Sequence, residues 1–137
     1  GYKGQPLTLR NRALLLVVGT TQISRPAIVG IDVEDIYPPE EEGGPTQVVL
    51  YGQDDEPSGL LKLQSGPEVK YCPNRAVAAW ILAAKLQTGP LFRSFTPHGT
   101  VGESRIRPQT INFAVKKCAR EAGLDPEEWS PRALRRQ

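Results

Sequence analysis

Apolar and polar positions divide the chain into helical stretches around a short β-rich centre. Leu9, Ala13, Leu14, Leu16 and Val17 recur at helical spacing and predict a helix from Leu9 to Gly19. Thr8 stands where a hydroxyl can accept from the first free backbone amides. Thr20-Thr21-Gln22 reads as a weak continuation, and Pro26 suits the first turn of a short helix over Ala27 to Val29. Gln47 to Tyr51 is β-rich, and Gly59 to Leu63 pairs with it across the polar turn Gln53 to Ser58. Pro73 opens a strong helix in which Ala76, Val77, Trp80, Ile81, Ala84 and Leu86 share a face, and Gly89-Pro90 ends it. Leu91 to Phe95 and the His98-Gly99 turn predict a short strand and its loop. Pro108 to Glu121 is an amphipathic helix capped by Gly123. Its apolar positions are Ile111, Phe113, Ala114, Val115, Cys118 and Ala122, and its polar ones Lys116, Lys117 and Arg120. Asp125 to Trp129 is a turn, and Ser130-Pro131 opens a last helix. The sum is a mainly α domain with a small antiparallel β-sheet (α+β), spanning 1–137 as a single unit.

At 137 residues the chain suits one domain with a real core. Its hydrophobic fraction of 39% and charged fraction of 23% match a soluble globular protein, and no apolar run approaches a membrane span. Two cysteines far apart, Cys72 and Cys118, read as reduced core thiols. One histidine and no Cys/His cluster argue against a structural zinc site, and no cofactor is expected. Methionine is absent, so a fragment is expected. The net charge of +2 says little, but its distribution says more. Asp32 to Glu42 holds six acids and no base, whereas Glu103 to Gln137 holds eight Lys/Arg against five acids. That asymmetry allows a basic face for phosphate.

Several segments resemble, in order, the catalytic domain of tyrosine recombinases and phage integrases. They are Asn11-Arg12-Ala13-Leu14-Leu15-Leu16, Asp32-Val33-Glu34-Asp35-Ile36, Tyr71-Cys72-Pro73-Asn74-Arg75-Ala76 with Trp80, and Gly89-Pro90-Leu91-Phe92. Ala122-Gly123-Leu124-Asp125-Pro126 with Trp129-Ser130-Pro131-Arg132-Ala133-Leu134-Arg135 completes the series. The resemblance implies a fold that clasps duplex DNA, and a chemistry in which a tyrosine attacks a DNA phosphate. Two arginines hold the phosphate oxygens because a guanidinium makes two aimed, permanently charged hydrogen bonds. A hairpin lysine protonates the leaving oxygen, and a histidine beside the second arginine assists.

Matched residue by residue, this chain departs from that pattern. Without a gap, Ser24 takes the first arginine position; a one-residue shift, as in some eukaryotic transposon members, gives it to Arg25. The glutamate that follows is missing either way. Gln53 stands where the resemblance implies the hairpin lysine, with Lys62 and Lys70 as substitutes from elsewhere in the sheet. Arg132 takes the histidine position, where an arginine can bind phosphate but is a poor acid or base. Arg135 matches the second arginine. The nucleophile is expected beyond Gln137, since Tyr2, Tyr37, Tyr51 and Tyr71 fall elsewhere, and His98 reads as a surface turn residue.

The expectation is a catalytically degenerate recombinase-like domain, inside the cell (nucleus or cytoplasm by host), serving DNA binding or scaffolding. The DNA-facing set is Arg25, Lys116, Lys117, Arg120, Arg132, Arg135 and Arg136. Two rivals remain: a divergent active recombinase, and a protein-interaction domain without DNA contact, to which the acids of Asp32 to Glu42 and Asp54-Asp55-Glu56 lend weight.

Overall fold

The computed structural model describes residues 5–21, 23–41, 44–51, 57–63 and 72–121. Helix α1 spans Gln5–Thr20 and starts one turn earlier than the apolar stripe suggests. Pro6 lacks an amide hydrogen and tolerates a first turn, so Thr8 lies inside the helix rather than capping it. Ala13, Leu14, Val17 and Val18 are buried where α1 packs on α3 and α4. At its end the Thr20 and Thr21 hydroxyls donate back to the Leu16 and Val17 carbonyls at 2.6 and 2.7 Å, the Val17 carbonyl also accepting from the Thr21 amide at 3.1 Å.

Helix α2 (Arg25–Val29) follows, then a 3-10 turn (Val33–Asp35) and strand β1 (Ile36–Tyr37). Strands β2 (Thr46–Tyr51) and β3 (Pro57–Leu63) form the expected hairpin, and β1 adds a third antiparallel strand beside β2. The β1 strand escaped sequence reading because two residues carry no period. Val48 and Leu63 are buried and fix which face of this sheet meets the helices.

Helix α3 (Pro73–Ala84) starts as predicted, with the Cys72 Sγ accepting from the Arg75 amide at 3.4 Å. Cys72 is fully buried and not disulfide-bonded; the Cys118 side chain lies outside the described residues. The helix ends before Gly89, at Lys85, which takes a left-handed conformation (φ 56°) and returns its amide to the Ile81 and Leu82 carbonyls. A side chain there is strained. Lys85→Gly is therefore expected to raise stability by about 0.5–1 kcal/mol, after the backbone entropy of glycine is set against the relief. The midpoint of urea unfolding checks this, and an unchanged or lower midpoint would refute it.

Strands β4 (Arg93–Phe95) and β5 (Val101–Arg105) pair antiparallel around the His98 turn, where His98 is exposed. Gly102 permits this pairing, because a Cβ there would stand 2.9 Å from the Ser94 carbonyl oxygen. Helix α4 (Pro108–Glu121) has the predicted bounds. The architecture is thus α+β, four helices with small antiparallel sheets among the described residues, compatible with a tyrosine-recombinase catalytic-like domain.

One stack ties three elements together. The Trp80 indole N–H, fully buried, donates to the Leu91 carbonyl at 2.7 Å, and its ring lies 6.1 Å from that of Phe95. The Arg10 guanidinium lies 5.1 Å from the Phe95 ring centroid, donating to the Asn11 side chain and, at 3.0 Å, to the Arg93 carbonyl. Burial lowers the Arg10 pKa to about 10, so it stays charged at neutral pH. Its role is to join α1 to β4.

Candidate nucleic-acid interface

Ser24 caps α2, its hydroxyl accepting from the Ala27 amide at 3.3 Å. Arg25, the first residue of α2, is exposed. Its guanidinium donates to the Asn112 side-chain oxygen of α4 at 3.0 Å. Of the two residues that compete for the first arginine position, one is therefore a helix cap and the other an exposed cation held by a neutral partner. A neutral acceptor steadies the guanidinium without cancelling its charge, and its remaining donors can still meet a phosphate.

Asn112 begins a row on α4. At 3.6 residues per turn, Asn112, Lys116 and Arg120 follow one another a turn apart. Ile111, Ala114 and Val115 are buried against the core, and the opposite face carries Gln109, Phe113, Lys117 and Arg120. Phe113, one of the apolar positions of the amphipathic helix read from the sequence, is 76% exposed and does not join the buried face. Lys117 and Arg120 are exposed and Lys116 is half-buried. Among the described residues the ion pair formed is Arg105 with Asp32, and no described carboxylate pairs with this face. Arg25 and α4 thus form one continuous cationic edge. Sequence reasoning missed Asn112, whose only signal is its spacing of one turn before Lys116.

The first three acids of the acidic segment, Asp32, Glu34 and Asp35, have partners of their own. Asp32 accepts from Arg105 at 2.6 Å, and the same arginine donates to the Val29 and Ile31 carbonyls at 2.7 and 3.3 Å. The Glu34 carboxylate accepts from the Gly89 amide at 2.6 Å, while the Val33 amide donates to the Gly89 carbonyl at 2.8 Å. Asp35 hydrogen-bonds the Tyr51 hydroxyl; its pKa is raised by partial burial first and then by Asp32 and Glu34. The Tyr51 pKa is raised, mainly by the Asp35 charge. These acids join the turn after α2 to the loop before β4 and to β2.

Lys62 is exposed on β3 and pairs with Gln47, whereas α2 borders the Val49–Tyr51 end of β2. That separates Lys62 from the α2 end of the ladder by about 10 Å of strand. The structure does not bring Lys62 and Arg25 together. Gln53, Lys70, Arg132, Arg135 and Arg136 lie outside the described residues. No group of three His, Cys, Asp or Glu among the described residues could hold a metal, and no described helix is long and apolar enough to cross a membrane.

The described residues thus form an α+β domain with a cationic helix face beside an arginine held by Asn112. No protein-family model matches the chain. It is 25% identical over 133 residues to an integrase/recombinase xerD homolog of Selenomonas ruminantium. That match covers 93% of this chain and 38% of that protein, so the chain spans well under half the length of its relative. The likeness supports a distant tyrosine-recombinase relationship.

Proposed function

We propose that this domain binds duplex DNA through Arg25 and the exposed face of α4, as a tyrosine-recombinase-like module that has lost strand-cleaving chemistry. The observation that carries the binding claim is the continuous edge of Arg25, Lys116, Lys117 and Arg120, with no described acid paired to it. Phosphate contacts of this kind need only aimed cations and survive the loss of catalysis. Arg132, Arg135 and Arg136 extend the proposed grip from the C-terminal segment. The loss of chemistry rests on sequence: the Gln53 amide is far too weak an acid to protonate a leaving oxygen, and Arg132 does not deprotonate.

Two measurements on the full-length protein test this. Incubation with a nicked suicide duplex is expected to leave no covalent protein–DNA adduct on a denaturing gel; an adduct makes it an active recombinase. Duplex binding is expected at about 50 mM salt and should weaken steeply as salt rises. Absence of binding at low salt would favour the protein-interaction reading, in which α4 meets an acidic partner.

A further inference from the structure

Phe113 is a residue of α4 whose chemistry neither the core nor a phosphate grip explains. Its phenyl ring is 76% exposed, although the helix buries Ile111, Ala114 and Val115 on its other side. Counting about 100° per residue, Phe113 points almost directly away from the core. Gln109 precedes it by one turn, Lys116 and Lys117 flank it one turn later, and Arg120 lies in line with it about 10 Å further along the axis. Phe113 is therefore an apolar tip on the outward face of α4, with Lys116 and Lys117 on either side of it and Arg120 about two turns beyond.

Charge complementarity selects the occupant. A surface that meets this face must offer the phenyl ring one apolar spot with anionic groups around it. The major groove of duplex DNA has that profile: it admits an α-helix, its walls are phosphate strands, and the thymine C5-methyl is the apolar group on its floor. We infer that Phe113 is a base-reading residue, its ring packed against a thymine methyl while Lys116, Lys117 and Arg120 hold the flanking phosphates. This rests on the DNA-binding reading above and adds sequence preference to it.

The test uses the full-length protein and a pool of random-sequence duplexes, selected at about 50 mM salt, where phosphate contacts are strongest. The wild type is expected to enrich a thymine at a fixed position. Replacing that thymine with deoxyuridine, which lacks only the methyl, should weaken binding about fourfold, the effect of one buried methyl-sized group. Phe113→Ala should bind the thymine and deoxyuridine duplexes equally, yet keep the wild-type salt dependence, because a phenyl ring touches no counterion-bearing phosphate. Its thermal midpoint should match the wild type, since the ring is exposed; if it does not, Phe113→Leu, which keeps an apolar tip, serves as the second variant and should retain part of the preference. The inference is overturned if Phe113→Ala enriches the same sequences as the wild type, or if deoxyuridine leaves wild-type binding unchanged while the duplex is bound. Wild-type failure to bind any duplex would instead overturn the DNA-binding reading itself.

Discussion

Trp80→Ala is expected to destabilise the domain by about 3–5 kcal/mol, the usual effect of removing a large aromatic from a core. Three losses coincide at this position. The indole is fully buried among α1, α3 and the β4 region, so a cavity opens that the surrounding helices can only partly fill. The Leu91 carbonyl loses its donor at 2.7 Å, and a buried acceptor left without a partner is unfavourable in its own right. Phe95 loses the aromatic ring packed against it and keeps its contact with Arg10. Since small domains are stable by about 5–15 kcal/mol, the variant should be marginal or unfolded at 25 °C. Trp80→Phe separates the contributions: it keeps most of the apolar volume and removes the N–H, so its loss should fall well below that of alanine. Urea unfolding followed by circular dichroism reads both. An alanine variant with the wild-type midpoint would mean that the stack is not central to the core.

The second large effect concerns binding. Lys116→Ala, Lys117→Ala and Arg120→Ala together are expected to lower the slope of log K against log salt by about 2–3 units, since each phosphate contact contributes about 0.9. A slope change of that size is sequence-independent, which separates it from the Phe113 effect. Arg25→Ala should remove about one further unit. Asn112→Ala tests positioning rather than charge: the guanidinium keeps its charge but loses the acceptor that aims it, so affinity should fall modestly with the slope preserved. A triple variant with the wild-type slope would move the phosphate grip away from α4. Thermal unfolding of the triple variant should be near wild type, because Lys117 and Arg120 are exposed and none of the three is ion-paired to a described residue.

The helices legible in the sequence were those with a strong period and a proline at the start. The bounds of α4 and the start of α3 follow from Pro108 and Pro73, where the ring pre-sets the backbone and no amide hydrogen is lost. Their far ends were harder. Gly89 reads as a stop signal, yet α3 ends at Lys85, because Leu86 turns inward to the core and pulls the chain out of the helix. Likewise β5 carried no readable alternation. It exists because Gly102 lets the backbone of Ser94 approach, a pairing between residues eight positions apart that no local window registers.

The candidate site was legible in its charges but not in its geometry. Lys116, Lys117 and Arg120 are visible as the polar positions of an amphipathic helix. That Arg25 belongs beside them depends on α2 meeting α4 across 87 residues of chain, and on Asn112 standing at the contact. The acids of the 32–35 segment look hostile to phosphate in one dimension; in three, Asp32 is matched by Arg105 and Glu34 by a backbone amide.

By itself the sequence determined the α+β class, the main helices and the likeness to recombinases, because periodicity and motif order are local or collinear properties of the chain. The proposal that Gln53 and Arg132 stand where other residues would carry catalysis rests on that likeness alone. Only the tertiary structure decided that Ser24 caps a helix while Arg25 is held by Asn112, and that Phe113 faces solvent rather than core. The physical reason is that a helical period states which residues share a face, whereas the packing of α1 against α4 decides which face is covered.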